Sequence, residues 1–145
     1  MAKEIHFELR KVEKEIGISE IEPIEEEIKK FCEIIDDNNP VYFDRSIFPP
    51  GYIMNLTNRV IQEVFIKIGP KFISEIRGVI HVSSEVKFFK VMKMNQNYII
   101  TIETSQPIEK EGKMGNYFSI VFKTSILNKE NEICAIDNHE FFFKL

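Results

Sequence analysis

The periodicity of apolar residues changes once along this chain, and that change limits the folds open to it. From Ile24 to Ile68 apolar residues recur at spacings of three and four, the pattern of amphipathic helices. From Ile76 onward they alternate with polar residues, which is typical of half-buried strands. Short turns separate the alternating segments and favour an antiparallel meander. The sequence therefore predicts an α+β domain in which helices pack on an antiparallel sheet.

Two helices are predicted in the first half. One covers residues 23–36, where Pro23 suits a first turn and three glutamates follow at the positive end of the helix dipole. The other covers residues 51–67 and is expected to stop at Gly69-Pro70, because proline cannot continue a helix. The apolar stripe of this second helix is broad enough to lie against a sheet. It consists of Ile53, Leu56, Val60, Ile61, Val64, Phe65 and Ile68.

Five segments are predicted to be strands. A short one spans residues 5–9, after which Gly17 and Ser19 indicate a loosened connection. Four longer ones occupy residues 80–88, 98–104, 118–126 and 133–143, with turns at 94–97, 110–113 and 128–132. Alternation in the first long strand puts one set of side chains on a single face. This set is Ile80, Val82, Ser84, Val86 and Phe88.

Composition excludes several classes of function. The 145 residues suffice for one domain, 1–145, without disulfides or metals, and a net charge of -4 gives no general attraction to nucleic acid or anionic membranes. Cys32 and Cys134 belong to no metal or redox motif, and no apolar run is long enough to span a membrane. A cytoplasmic protein is expected. Several strands are apolar on both faces, which predicts an exposed apolar surface and an oligomer, in the form of a sheet-to-sheet or edge-to-edge dimer.

One loop carries a motif. Residues 37–44, Asp-Asn-Asn-Pro-Val-Tyr-Phe-Asp, resemble the hydratase loop of MaoC-like enoyl-thioester hydratases and dehydratases, which usually reads Asp-x-Asn-Pro-Ile-His followed closely by Asp. Residues 31–37 resemble the helix that leads into that loop, and residues 86–90 resemble a later strand. The Pro and Gly-Asp that customarily follow this strand are replaced here by Val91 and Asn95-Gln96. The resemblance runs from about residue 20 to the C-terminus and implies a hot-dog fold, a curved antiparallel sheet wrapped around a central helix.

The resemblance also implies roles for loop residues. Asp37 matches the catalytic aspartate, Asn39 a structural asparagine, and Tyr42 stands where the family has its catalytic histidine. A histidine, with a pKa of about 6.5, suits a general base, whereas a tyrosine near 10 does not. The catalytic pair is therefore incomplete. In the plainer alternative, Asp37 and Asn39 end a helix and form a turn, while Tyr42 packs on the helix.

Pro50-Gly51-Tyr52 match the family's oxyanion hole, which implies a substrate-binding role at the start of the second helix. Free backbone N–H groups there can polarise a thioester carbonyl, although Pro-Pro-Gly is also a common entry into a helix. His81 and His139 lie on predicted strands, from which either could reach the loop. Basic side chains could contact the phosphates of a coenzyme A or carrier-protein arm. They are Arg77, Lys87, Lys90 and Lys93.

Three hypotheses of function follow. The leading one is a non-catalytic or partner-dependent subunit of a MaoC-like enoyl-CoA hydratase or 3-hydroxyacyl-thioester dehydratase. Such a subunit would bind an acyl-CoA or acyl-carrier thioester, without cofactor or metal, as a homodimer or with a histidine-bearing hot-dog subunit. The second is an independent hydratase with a relocated base such as His81, or a thioesterase that uses Asp37 or Asp44. The third is a hot-dog scaffold or acyl-CoA-binding module in a thiolase-type assembly.

Overall fold

The computed structural model describes residues 17–72, 77–113 and 115–144, in which the strands form one antiparallel sheet. The strands are β1 (Gly17–Ile21), β2 (Gly78–Phe88), β3 (Tyr98–Thr104), β4 (Ile108–Gly112), β5 (Gly115–Leu127) and β6 (Ile133–Lys144). The helices are α1 (Glu25–Ile35), α2 (Val41–Asp44) and α3 (Ile53–Phe72), the last preceded by a 3-10 turn at Pro50–Tyr52. The strand predicted at residues 5–9 lies outside the described residues.

The strand order is β1-β3-β5-β6-β2, with β4 paired to β5. The predicted meander is wrong at one connection, because β2 and β3 follow each other in sequence but lie apart in the sheet. The connection between them is attached to the helical half of the chain: Met94 N–H donates to the Ser46 carbonyl at 2.8 Å, and Asn95 N–H donates to the Pro23 carbonyl at 2.6 Å. These long-range hydrogen bonds hold the connection against the helical half of the chain, so that β3 does not pair with β2. No local sequence pattern encodes them.

Helix α3 packs on one face of the sheet, as its apolar stripe predicts. Ile53, Leu56 and Val60 are almost fully buried, and the Phe65 ring contacts those of Phe122 and Phe141, each at a centroid distance of 5.3 Å. The predicted stop at Gly69-Pro70 is wrong, since α3 continues to Phe72. A proline within the last turn removes one hydrogen bond, which is a smaller loss than in the middle of a helix.

Helix α1 buries a narrower face than its sequence pattern predicts. Ile28 and Cys32 are buried, whereas Ile24 and Ile35 at its two ends are 48% and 46% exposed. The helix ends before the loop, as predicted, at Asp36, whose φ of 55° is left-handed. Aspartate tolerates this conformation better than most residues, which explains the sharp exit into the loop.

Two segments predicted to be irregular are strands. Gly17–Ile21, expected to be a connection, pairs as β1 with residues 98–102 of β3. The turn predicted at residues 110–113 begins later, because Lys110 to Gly112 still pair with β5 as part of β4. Both strands have five residues, too few for alternation to stand out from a loop.

A bulge in β2 changes which side chains share a face. The register with β6 shifts between His81 and Ser83, so that His81 pairs with Phe141 and Ser84 pairs with His139. Directly paired residues point to the same side of a sheet, and both β6 partners are buried. His81 and Ser84 therefore both face the helical side, and the predicted common face of Ile80 and Ser84 is wrong. One extra residue inverts the alternation, and a pattern with a period of two cannot reveal it.

Candidate functional site

The loop after α1 folds Tyr42 back onto Asp37. Pro40, with φ -62° and ψ -20°, begins the single turn of α2, and the Asn39 Oδ1 atom accepts a hydrogen bond from the Val41 N–H at 3.1 Å. This turn brings the Tyr42 hydroxyl to 2.8 Å from Asp37 Oδ2, to which it donates. Asn39 thus shapes the turn, while Asp37 and Tyr42 form a hydrogen-bonded pair.

This pair has no proton acceptor suited to neutral pH. The hydrogen bond to Asp37 raises the pKa of Tyr42 above its ordinary value, and burial and the carboxylate charge act in the same direction. Tyr42 therefore stays protonated, and its only proton is directed to Asp37. Its oxygen can still accept a hydrogen bond from a ligand, but Tyr42 cannot donate to a thioester carbonyl without releasing Asp37.

Beside this pair lies an apolar cleft of about 580 Å³, a volume within the range of small-molecule sites. Its lining residues are Tyr42, Ile47, Phe48, Pro50, Phe88, Phe89, Lys90, Val91 and Met92. Within the loop wall, Ile47 N–H donates to the Tyr42 carbonyl at 2.9 Å. A β-bridge between Ile47 and Lys93 joins this wall to the segment that follows Met92 of the opposite wall.

The three residues predicted to bind substrate have different surroundings. Pro50 lines the cleft together with Tyr42. Tyr52 is buried and donates its hydroxyl to Glu27 Oε2 at 3.2 Å, linking α3 to α1. Burial, together with the charge and hydrogen bond of Glu27, raises the pKa of Tyr52 to about 12. Gly51 lies next to Phe31, whose Cζ would be 3.8 Å from a Cβ built at Gly51. Only Pro50 of the three contributes its side chain to the cleft.

A second polar cluster, which sequence reasoning did not find, lies between α3 and the sheet. Asp137 and His139 are fully buried on β6, with His139 Nε2 2.6 Å from Asp137 Oδ2. Thr57 of α3, also fully buried, donates to the same oxygen at 2.8 Å, and Ser84 of β2 donates to Asp137 Oδ1 at 2.7 Å. His139 Nδ1 in turn lies 3.1 Å from Nε2 of the exposed His81. The two strand histidines thus contact each other, and none of their described contacts is with the Asp37–Asp44 loop.

The geometry assigns the protons of this cluster. His81 Nε2 lies 3.0 Å from the Ser83 carbonyl as well as 3.1 Å from His139 Nδ1, so it must carry the proton. His139 Nδ1 is then an acceptor, and His139 Nε2 donates to Asp137. Burial opposes ionisation of Asp137, but hydrogen bonds from His139, Ser84 and Thr57 outweigh it and hold its pKa below the ordinary value. Asp137 is therefore a buried carboxylate with three donors.

A sequence signal for this cluster exists in retrospect. Asp137 and His139 interrupt the inward-facing positions of an apolar strand, and Thr57 interrupts the apolar stripe of α3. Polar residues at predicted core positions require partners, and here they satisfy each other.

Basic side chains are dispersed among acidic ones. Lys90 Nζ lies 2.6 Å from Glu132 Oε2, and Lys87 Nζ lies 3.5 Å from Glu85 Oε1. Lys90 also joins the cleft to a smaller polar one of about 330 Å³, which Lys93 helps to line. Within the described ranges, no group of three His, Cys, Asp or Glu side chains is arranged to hold a metal ion.

Comparison with solved structures identifies similar folds. The ChsH1–ChsH2 complex of Mycobacterium tuberculosis gives a TM-score of 0.73 at 16% identity, covering 99% of this chain and 93% of the other. The C-terminally truncated HadBC (3R-hydroxyacyl-ACP dehydratase) complex of the same organism gives 0.71 at 13% identity, covering 88% and 93%. The (R)-hydratase of A. caviae involved in PHA biosynthesis gives 0.54 at 12% identity, covering 90% and 94%. No family model and no curated protein sequence matches the chain.

The chain thus has the hot-dog fold, an antiparallel sheet of six strands with a central helix, and the predicted α+β class is confirmed. Similar structures also include thioesterases, such as a 1,4-dihydroxy-2-naphthoyl-CoA thioesterase of Synechocystis with a TM-score of 0.56 at 8% identity, covering 87% of this chain and 80% of the other. In the described part of the chain, no helix combines the length and apolarity needed to cross a membrane.

Proposed function

We propose that this chain is an acyl-thioester-binding subunit of a hot-dog hydratase or dehydratase, and that a histidine-bearing partner subunit performs the hydration. The hydrogen bond from Tyr42 to Asp37 carries the proposal, because it occupies the position of the family's acid–base pair with a group that remains protonated. Addition of water to an enoyl thioester needs a base near neutral pKa, and this loop lacks one.

The cleft beside the pair supports binding of an acyl chain. Its walls are mainly apolar, and Phe88, Phe89 and Val91 are exposed at 48%, 59% and 72%. Since the Tyr42 proton is directed to Asp37, a thioester carbonyl would need another donor. The backbone N–H of Gly51, in the 3-10 turn Pro50–Tyr52 that leads into α3, is suited to this task, because Pro50 has no N–H and the Tyr52 N–H already donates to the Pro49 carbonyl at 2.9 Å.

The open edge of the sheet supports a partner subunit. β2 lies at one end of the strand order, and its exposed apolar residues are Val79, Ile80, Val82 and Phe88. Such an edge commonly pairs with another chain. Two of the similar structures are complexes of different subunits, and smu.793 of Streptococcus mutans, with a TM-score of 0.55 at 14% identity, is bound to acetyl CoA.

Calorimetry with a thioether analogue of butyryl-CoA tests binding directly, because the analogue cannot react. Val91→Asp, which places a charge in the cleft wall, is expected to weaken binding at least tenfold. Ile66→Asp is a matched control, since Ile66 is 73% exposed on α3 and does not line the cleft. Equal binding by both variants, or no binding by the wild-type chain, would contradict the proposed site.

Hydration of trans-2-butenoyl-CoA tests the division of labour. The purified chain is expected to show none, and addition of a histidine-bearing hot-dog subunit that co-purifies with it is expected to restore the reaction. Hydration by the chain alone that disappears in Asp37→Ala would overturn the need for a partner.

A further inference from the structure

We propose that the smaller, polar cleft beside the apolar one binds the phosphate of a pantetheine arm, a group that coenzyme A and acyl-carrier proteins share. This assignment rests on the proposed function, because it places the anionic end of the same acyl thioester. The polar cleft has a volume of about 330 Å³ and lies where the β2–β3 connection meets the turn between β5 and β6.

The polar cleft gathers positive charge on a chain whose net charge is -4. Its charged lining residues are three lysines, Lys90, Lys93 and Lys129, and one acid, Glu130. Lys90 is already paired with Glu132, at 2.6 Å. Among the described residues, Lys93 and Lys129 have no ion-pair partner. Two ammonium groups are therefore available for an anion, and one carboxylate opposes them.

Tyr98 supplies a buried donor to the same cleft. Its side chain is 3% exposed, and its hydroxyl oxygen accepts a hydrogen bond from the Lys93 N–H at 2.7 Å. The hydroxyl proton has no acceptor in the part of the chain that the structure describes. Burial raises the pKa of Tyr98 more than the bond from Lys93 lowers it, so the hydroxyl is protonated at neutral pH. A phosphate oxygen in the cleft would give this donor its acceptor.

The turn between β5 and β6 holds one side of the polar cleft in place. Asn128 Oδ1 accepts from the Glu130 N–H at 3.0 Å and from the Glu132 N–H at 2.9 Å. The ion pair of Lys90 with Glu132 then ties this turn to the segment that follows β2. Lys129 belongs to this turn, so its backbone is fixed, and an anion bound there would have little of the turn left to order.

The polar and apolar clefts are continuous. Lys90 and Val91 line both of them. One ligand can therefore occupy both, with its acyl chain against Phe88 and Phe89 and its anionic end near Lys93. The acyl thioester of a pantetheine arm has this division, since an apolar chain and a phosphate lie at its two ends.

The phosphate site and the partner surface use different residues. Strand β2, whose open edge is the proposed partner surface, ends at Phe88. No residue of β2 lines the polar cleft, whose lysines come from the connection after β2 and from the turn at residues 128–132. Pairing of a partner with β2 is therefore compatible with an anion in this cleft.

The structure also distinguishes among the basic residues that the sequence suggested for phosphate contact. Lys87 pairs with Glu85 at 3.5 Å, and neither Lys87 nor Arg77 lines a cleft described above. Lys90 and Lys93 line the polar one, together with Lys129, which the sequence did not indicate.

Calorimetry with three unreactive ligands tests the phosphate site: the butyl thioethers of pantetheine, of phosphopantetheine and of coenzyme A. Charge-assisted hydrogen bonds are strong, so the phosphate of phosphopantetheine is expected to raise affinity about tenfold over pantetheine. Lys93→Met and Lys129→Met keep the side-chain length, and each is expected to lower this ratio about threefold. Glu130→Gln is expected to raise it, because a like charge is removed from the lining.

Lys123→Met is the matched control for the loss of one positive charge. Lys123 is exposed on β5 and lines neither cleft, so the affinity ratio should stay at the wild-type value. Added salt should lower the ratio in the wild type, since it screens partly exposed charges.

The outcomes separate this site from the proposed function. Equal affinity of the wild type for the pantetheine and phosphopantetheine thioethers would overturn the phosphate site and leave the proposed function intact. A full phosphate preference in the Lys93→Met, Lys129→Met double variant would also overturn it. Lysine-dependent binding of phosphopantetheine to which the butyl group adds no affinity would retain the phosphate site and contradict the acyl cleft.

The third ligand identifies the source of the phosphate. Tighter binding of the coenzyme A thioether than of the phosphopantetheine thioether would indicate coenzyme A, because its additional phosphates then contribute. Equal or weaker binding would indicate the arm of a carrier protein, which ends in a single phosphate. Either result supports the phosphate site.

Discussion

Tyr42 donates its hydroxyl proton to Asp37 across 2.8 Å, so the loop that resembles a hydratase site has a stable hydrogen-bonded pair in place of an acid–base pair. A carboxylate at this position is retained, but its neighbour cannot accept a proton near neutral pH. This hydrogen bond therefore leads to two predictions for replacement of Tyr42, one for catalytic activity and one for stability.

Tyr42→His is expected to create hydration activity in the isolated chain. An imidazole beside Asp37 supplies the missing base, and general-base catalysis is typically worth about 10²–10⁴ in rate. The decrease in enoyl absorbance of trans-2-butenoyl-CoA measures the gain. Adding Asp37→Ala to the same variant should remove it; activity that survives in the double variant would show that the new imidazole does not work with Asp37.

Tyr42→Phe is expected to lower the free energy of unfolding by about 1 kcal/mol, because one hydrogen bond to a half-exposed carboxylate is lost. Urea denaturation measures the change. Tyr117→Phe is a suitable comparison, because the Tyr117 ring packs on Phe142 at a centroid distance of 4.5 Å and its hydroxyl has no hydrogen-bonding partner among the described residues. If the two variants lose the same stability, the bond to Asp37 is not what Tyr42 contributes.

Asp137→Ala is expected to destabilise the fold by about 3–5 kcal/mol, since it removes the carboxylate that accepts from the buried His139 and Thr57 and from the half-buried Ser84. Thr57→Val, which removes one donor and keeps the shape, should cost only about 1–2 kcal/mol. Chemical denaturation of both variants and of the double variant gives the coupling energy. Strictly additive losses would show that the two residues do not form one network.

Acid is expected to weaken the fold through Asp137. Its pKa in the folded chain is lowered, so its contribution to stability is present above the ordinary carboxyl pKa of about 3.9 and is lost as the pH falls through the lower folded value. The urea midpoint of the wild type should therefore decrease below about pH 4 more steeply than that of Asp137→Asn. Parallel curves for the two proteins would assign acid sensitivity to other carboxylates.

Tyr52 is expected to ionise near pH 12. Because its folded pKa is raised above the ordinary value of about 10, its stabilising contribution is complete below about pH 10 and is lost as the pH rises through about 12. The ultraviolet absorbance of tyrosinate follows the titration, and Tyr52→Phe should remove the last-titrating component. A wild-type titration that ends near pH 10 would contradict the buried bond to Glu27.

Local patterns predicted the elements of this fold better than their arrangement. Strand β3 was predicted with its observed bounds, Tyr98–Thr104, because a turn signal on one side and clear alternation identify it. The five-residue strand β1 has too little pattern to be recognised. The position of β2 beside β6 depends on the hydrogen bonds of Met94 and Asn95 to residues far away in sequence, which no local spacing records.

In the candidate site, too, contacts within one segment could be predicted more easily than contacts between distant segments. The contact between Asp37 and Tyr42 was foreseeable in kind, since five residues with a proline turn bring them together. The second polar cluster was not foreseeable, because the bulge at Val82 changes the face on which His81 lies and hides its relation to Ser84 and His139. A side chain's face depends on the register of its partner strand, and register is a property of two strands.

The connection between β2 and β3 holds two separate parts of the molecule at once, through Met94 to Ser46 in the loop and through Asn95 to Pro23 before α1. A further contact, from Glu25 N–H to Asn95 Oδ1 at 3.3 Å, strengthens the second attachment. The connection that supplies one wall of the cleft is thus hydrogen-bonded to the loop that supplies the other, and moving the walls apart would break the bond from Met94 to Ser46. For the acyl thioester proposed as ligand, association is therefore expected at a rate set by diffusion and orientation rather than by a closing movement, and selectivity for chain length is expected in the dissociation rate of each acyl group.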